Sequence, residues 1–344
     1  MKILVKATNW VGDAIMSIPA LNAIRQRWPT AEITILARPW VAALYDGQSF
    51  ADRVMLFDVQ SRNPLALERV ARELSQEQFD CAVVLQNAFS AAWLIWRAKI
   101  PQRIGYARDG RRMFLSKAVA TPKAGEIPAH ESFYYLELLR RAGWIDALPD
   151  VSQISLLLNN SAVQAAEARV REAGALSDGR RVAFAPGAAY GSAKCWPPER
   201  FAAVADSLID ELNATVILFG TNAEIEICRQ IADRMHHRPV ILAGRTSIGE
   251  LPALFSRCHL FVGNDSGAMH VAAAVGLPVV AIFGPTDPHG TAPVTSHKTL
   301  VRHPVACSPC FLRECPIDHR CMLRVSVPDV RDATVKWLEQ PSRV

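Results

Sequence analysis

The chain has 344 residues, a formal net charge of +5, half of its residues hydrophobic and 21% charged. That length exceeds what one core normally fills, so two domains are expected, and the composition fits an α/β protein rather than a disordered or fibrous one. No apolar run approaches the ~20 residues that span a bilayer, and the N-terminus enters a strand-like segment with no signal-peptide core, which predicts a cytoplasmic protein.

In chain order, residues 3–5, 32–36, 54–57 and 81–85 read as short strands. Between them, residues 21–28 and 65–74 carry apolar positions at helical spacing. Such alternation predicts βαβ units and a parallel sheet covered on both faces. From 97 to 123 the chain turns basic: Arg97, Lys99, Arg103, Arg108, Arg111, Arg112, Lys117 and Lys123, with Asp109 the only acid. Either this is a solvated loop or it attracts an anionic partner. Nucleic acid is disfavoured, because few aromatics are interleaved and no nucleic-acid motif accompanies the charge. A helix over 132–143 closes a first Rossmann-like domain, expected to occupy residues 1–158.

A second series follows, with helices predicted over 161–173, 198–212, 224–235 and 249–257. Strands are predicted over 181–185, 215–219, 239–242, 260–262 and 278–283. This is a second Rossmann-like domain, expected at 159–326, with a last helix over 327–339. Two such domains would enclose a cleft, the usual place for a ligand.

Four stretches stand out chemically. In "FVGNDSGAMHVAAAVGLPVVAIFGPTDP" (261–288) a strand runs into Asp265, Ser266 and Gly267 at a helix start, with His270 one turn on. Helix-start N–H groups and a serine hydroxyl make a phosphate cradle; a simple N-cap at Asp265 or Ser266 is the alternative. In "FAPGAAYGSAKCWPPERF" (184–201), Pro186, Gly187, Ser192 and Lys194 lie in a loop leaving a strand end, where a lysine can stabilise a leaving diphosphate. Glu224, in "FGTNAE", either accepts ribose hydroxyls or favours a helix start. Cys307, Cys310, Cys315 and Cys321, with His319 among them, fit either a small structural metal site or reduced thiols. No dinucleotide fingerprint, P-loop, nucleophile elbow or zinc-protease motif is present.

"NWVGDAIMSIPALNAIRQRWP", the Lys194 loop, "GNDSGAMHVAAAVGLPVVAIFGPTDP" and the tail "CSPCFLRECPIDHRCM" together resemble the bacterial lipopolysaccharide heptosyltransferases, glycosyltransferase family 9. The Trp-Val-Gly-Asp form and cysteine-rich tail are most similar to the heptosyltransferase II branch. The resemblance implies an α/β protein of the GT-B fold, two facing Rossmann-like domains with a C-terminal segment, 327–344, crossing back to the first. It implies an inverting transferase that moves heptose from ADP-heptose to the first heptose on Kdo-lipid A, with no cofactor and no metal in catalysis. Asp13 would be the general base, and Lys194 would face the donor diphosphate. Gly12, Pro186, Gly187, Ser192, Glu224, Asp265, Ser266, Gly267 and His270 would serve the donor. Where relatives often place Thr or Ser after the Pro-Gly, this chain has Ala188 and Ala189, which shifts phosphate bonds to Ser192 or backbone N–H groups.

A sugar hydroxyl must lose its proton as it attacks, and a carboxylate at Asp13 can take it. An N-cap role for Asp13 is compatible with this, and Pro19 implies a kink or a helix starting near Ser17. The anionic inner core gives the basic stretch a partner: Trp10, Arg103, Arg108, Arg111 and Arg112 are expected on the acceptor. The work would be done at the cytoplasmic face of the inner membrane, touched peripherally. Heptosyltransferase I, another nucleotide-sugar transferase, a sugar-nucleotide epimerase and a silent nucleotide-binding module are the competing readings.

Overall fold

Among the described residues, short runs of Ile, Leu and Val bounded by turns form twelve parallel strands. In the N-terminal unit these are β1 (Lys2–Lys6), β2 (Glu32–Ala37), β3 (Arg53–Leu56), β4 (Cys81–Val84), β5 (Gln102–Tyr106) and β6 (Lys117–Val119). In the C-terminal unit they are β7 (Arg181–Ala185), β8 (Thr215–Leu218), β9 (Val240–Ile241), β10 (Leu260–Asn264), β11 (Val279–Ile282) and β12 (Lys298–Val301). The computed structural model describes residues 1–59, 63–175 and 179–340, in two units, Met1–Val151 and Ser152–Val344.

The sheet orders are β3-β2-β1-β4-β5-β6 and β12-β11-β10-β7-β8-β9. Counted from the first strand of each unit, both are the doubly wound order 3-2-1-4-5-6. Central strands such as β4, β7 and β10 are buried along their whole length, as a sheet covered on both faces requires.

The first unit ends at Val151, and the extended segment that follows hydrogen-bonds within the second unit. Ile154 N–H donates to Val294 O, and Leu156 N–H to Ala274 O at 2.8 Å. The last helix lies over Val327–Leu338, on the second unit's own helix Pro198–Leu212 and on β10–β12. Trp337 fixes it by donating its Nε1–H to Thr299 Oγ1 at 2.9 Å. Pro19 does split the first helix: Val11–Met16 and Ile18–Arg27 meet at Ser17, with proline in the first turn of the second.

Lys6 is fully buried at the end of β1, donating to Ala7 O at 3.2 Å and lying over the Phe57 ring. Burial, and then the Arg38 charge, bring its amine down from 10.5 to about 7. The folded value lies below the unfolded one, so the unfolded chain binds the extra proton between them and stability rises with pH across that window. From about pH 7 to 8.5 the unfolding free energy of the wild type is expected to climb by about 1–2 kcal/mol more than that of Lys6→Met. Urea titrations at the two pH values check this; parallel behaviour of the two proteins would show that Lys6 keeps its proton in the folded chain.

Candidate active site

In open α/β sheets, ligands bind beyond the carboxyl ends of the strands where the strand order reverses. In the C-terminal unit that point lies between β7 and β10, and the loops leaving these strands are tied together there. Asn264, at the end of β10, donates its Nδ2–H to Pro186 O at 2.6 Å and accepts Trp196 N–H at 3.1 Å. Lys194 Nζ donates to Asp265 Oδ2 at 2.6 Å, and Thr286 Oγ1, from the loop after β11, donates to the same oxygen at 2.7 Å. Both members of the ion pair are largely buried, and the Lys194 ammonium also sits over the Tyr190 ring.

Ser266 occupies the N-cap position of the helix Gly267–Ala274, yet its hydroxyl makes no capping bond. Its Oγ is buried and has no hydrogen-bond partner among the described residues. An uncapped helix start with an unpaired hydroxyl and Gly267 beside it is suited to an anion. His270 is buried in the first turn of the same helix.

Glu224 does what its alternative reading held: it closes a capping box, accepting Thr221 N–H at 2.7 Å and Thr221 Oγ1–H at 2.9 Å on Oε2. Its other oxygen lies against Gly187, where a Cβ would come within 2.0 Å of Oε1. Glycine is therefore required at 187 for the carboxylate to reach the loop. Ser192, in the short 3-10 turn Ser192–Lys194, is exposed.

The cysteine-rich tail is a brace for these loops. Ala193 N–H donates to Arg313 O, His319 Nε2 bonds Ala193 O at 2.7 Å, and Tyr190 Oη–H donates to Phe311 O at 2.7 Å. The N–H groups of Cys310 and Phe311 both reach Pro285 O. A side chain at Gly191 would strike Arg313 O at 2.2 Å, so the tail approaches the loop at backbone distance. Among the described residues no three His, Cys, Asp or Glu side chains are arranged to hold a metal ion. Cys307, Cys310, Cys315 and Cys321 thus do not converge on the structural metal site entertained above; Cys315 Sγ instead accepts His319 N–H.

In the N-terminal unit the reversal lies between β1 and β4. Asp13 is the third residue of the helix Val11–Met16, whose N-cap is Trp10, so the carboxylate is not the N-cap but stands in the first turn. The buried Tyr135 hydroxyl hydrogen-bonds it from the helix Glu131–Arg141. Glu131, at the start of that helix, is pushed up to about 7 by burial and then by the Asp13 charge, with Arg108 opposing. Two buried oxygens at the same strand ends, Asn9 Oδ1 and Gln86 Oε1, have no partner among the described residues. Trp10 is 47% exposed beside them in the chain, as a contact residue would be.

The four arginines separate into two kinds. Arg103 lies near the opposite, amino end of β5 and donates to Phe114 O, Ile100 O and Pro101 O. Arg111 is fully buried, bonding Tyr106 O, Gln86 O and Asn87 Oδ1. Both brace the fold, their donors answering oxygens of the segments around β5, a strand that the sequence reading did not foresee. Arg108 and Arg112 remain exposed, and Arg108 hydrogen-bonds Tyr134 and Asp109. Sequence reasoning missed Asn264, Thr286, Tyr135 and Glu131. For Thr286 the signal was present, in Gly-Pro-Thr-Asp at a strand end; Glu131 and Tyr135 are indistinguishable from ordinary helix residues until the fold is known.

Residues 67–320 match the family model described as glycosyltransferase family 9 (heptosyltransferase). The chain belongs to that family. It is 32% identical to the lipopolysaccharide heptosyltransferase 2 of Salmonella typhimurium, over 88% of this chain and 87% of the relative. It is 30% identical to the lipooligosaccharide heptosyltransferase 2 of Haemophilus influenzae, over 88% of each. The solved structure of E. coli ADP-heptose lipopolysaccharide heptosyltransferase II superposes with a TM-score of 0.84 at 26% identity, over 99% of both chains. This family-9 enzyme is thus a heptosyltransferase with the GT-B fold, and no helix among its described residues is long and apolar enough to cross a membrane.

Proposed function

We propose that this heptosyltransferase moves L-glycero-D-manno-heptose from ADP-heptose to the first heptose of the lipopolysaccharide inner core, with inversion at the anomeric carbon. The observation that carries the reading is near-full-length similarity to enzymes named heptosyltransferase 2, in a chain whose polar groups gather at both strand-order reversals. The donor belongs to the C-terminal unit. There the Ser266 hydroxyl and the N–H groups at the start of Gly267–Ala274 would receive diphosphate oxygens. Lys194, exchanging Asp265 for the phosphates, would stabilise the charge that grows on the leaving ADP. Glu224 and His270 flank that donor.

The acceptor belongs to the N-terminal unit. Its attacking hydroxyl gives its proton to the Asp13 carboxylate as the new C–O bond forms and the bond from the anomeric carbon to the diphosphate oxygen breaks. Tyr135 orients that carboxylate, and the exposed Arg108 and Arg112 suit an anionic core. No metal enters this scheme. The enzyme would act at the cytoplasmic face of the inner membrane.

ADP release tests the reaction class. ADP should form from ADP-heptose only when a heptose-bearing acceptor is added. Steady ADP formation without any acceptor would replace transfer by hydrolysis, and conversion of ADP-heptose without ADP release would replace it by epimerisation.

A further inference from the structure

The helix Phe89–Arg97 carries Phe89, Trp93 and Trp96 at i, i+4 and i+7, one stripe along its length. Only part of that stripe is used by the core. Phe114, from the 3-10 turn Arg111–Phe114, inserts its ring 5.1 Å from Phe89 and 5.3 Å from Trp96, joining them into a continuous aromatic surface. Its outer side stays in water: Phe89 is 49%, Trp96 44% and Met113 76% exposed. Contiguous exposed aromatics in one folded unit mark an interaction surface, unlike a scattered leucine.

The rim of this surface is basic. Lys99 and Arg112 are exposed beside Trp96 and Met113 in the chain, and Arg97 follows Trp96, paired with Glu68 at 2.6 Å. Other cations of the stretch are tied to the fold: Arg103, Arg111 and Lys117 donate to backbone carbonyls. The stretch is thus sorted, with part of its charge bracing the fold and Arg97, Lys99, Arg108 and Arg112 left outward around tryptophan, phenylalanine and methionine. Large amphipathic aromatics ringed by Lys and Arg are the composition of a surface that lies on an anionic bilayer.

We infer that the face made by Phe89, Trp96, Met113, Lys99 and Arg112 docks the protein on an anionic membrane surface. Apolar side chains enter the headgroup layer while the cations meet lipid phosphates. Phe89 stands two residues after Asn87, at the carboxyl end of β4, and a Cβ on Gly110, two residues beyond Arg108, would meet its ring at 4.0 Å. Docking by this face therefore sets the membrane beside the strand ends that carry Asp13. The inference deepens the proposed function, since a lipid-anchored acceptor would be presented at that end. Its test requires neither donor nor acceptor.

The full-length protein is floated with vesicles of phosphatidylcholine alone or mixed with phosphatidylglycerol, at low salt. The wild type should rise with the anionic vesicles and stay behind with the neutral ones. Trp96→Gln with Met113→Gln should lower the bound fraction about tenfold, and Arg112→Glu about fivefold, with unchanged melting temperatures. Absence of flotation, or flotation indifferent to these substitutions, would overturn the inference while leaving the transfer reaction untouched. So would a dimer in sedimentation that the same substitutions dissociate, because the face would then belong to a second copy.

Discussion

Asp13→Asn is expected to lower kcat by about 10²–10⁴ while ADP-heptose still binds, since the substitution removes the proton acceptor and leaves the donor unit intact. The expectation rests on position. Asp13 is held in the first turn of its helix, where the positive end of the helix favours the charged form, and Tyr135 hydrogen-bonds it. A carboxylate so placed is held in one orientation, as a general base must be. The same variant has a second readout. Asp13's charge is one of the two causes that push Glu131 up to about 7, so Glu131 should titrate at lower pH once residue 13 is neutral. Its carboxyl carbon followed by NMR would show this. A kcat within threefold of the wild type would remove Asp13 from the chemistry, whatever Glu131 does.

The second large effect concerns Lys194. Lys194→Met is expected to lower kcat about 10²–10³-fold, the scale for losing one electrostatic contact to a developing charge. It should also destabilise the fold by about 3 kcal/mol, because it strands the Asp265 carboxylate in a buried place. Thr286 keeps its bond to that oxygen and limits the damage. The two consequences separate in the double variant: Asp265→Asn added to Lys194→Met should restore most of the stability and none of the activity. If activity returned together with stability, Lys194 would be a structural cation only. Steady-state kinetics and urea unfolding of the three proteins decide between them.

Short apolar runs and helically spaced apolar positions made most of the second unit legible, down to β7 and the helix Pro198–Leu212, whose bounds match the expectation, while β12 was not foreseen. In the first unit, β5 and β6 were hidden. Gln102, Arg103 and Lys117 put polar side chains at the starts of β5 and of the edge strand β6, and so many cations in sequence read as solvent-facing loop. Once those strands form, the buried and braced arginines follow from the carbonyls around them, which no spacing rule reveals. The site shows the same division. Helix-start and loop residues of the donor side were readable because their glycines and hydroxyls sit at fixed offsets from strands. The Lys194–Asp265–Thr286 cluster and the Asp13–Tyr135 contact join residues far apart in sequence, and only topology brings them together. The tail's role was equally illegible: the cysteine spacing left a metal site and reduced thiols both open, whereas the tail's backbone groups hold the Lys194 loop.

One measurement reaches the central claim most directly: product mass after incubation with ADP-heptose and each of two purified acceptors, Kdo-lipid A without heptose and the same lipid carrying one heptose. The expected result is a gain of one heptose on the second acceptor alone, lost in Asp13→Asn. A gain on the heptose-free acceptor would contradict the heptosyltransferase II reading, and a gain that survives Asp13→Asn would contradict the assignment of the base.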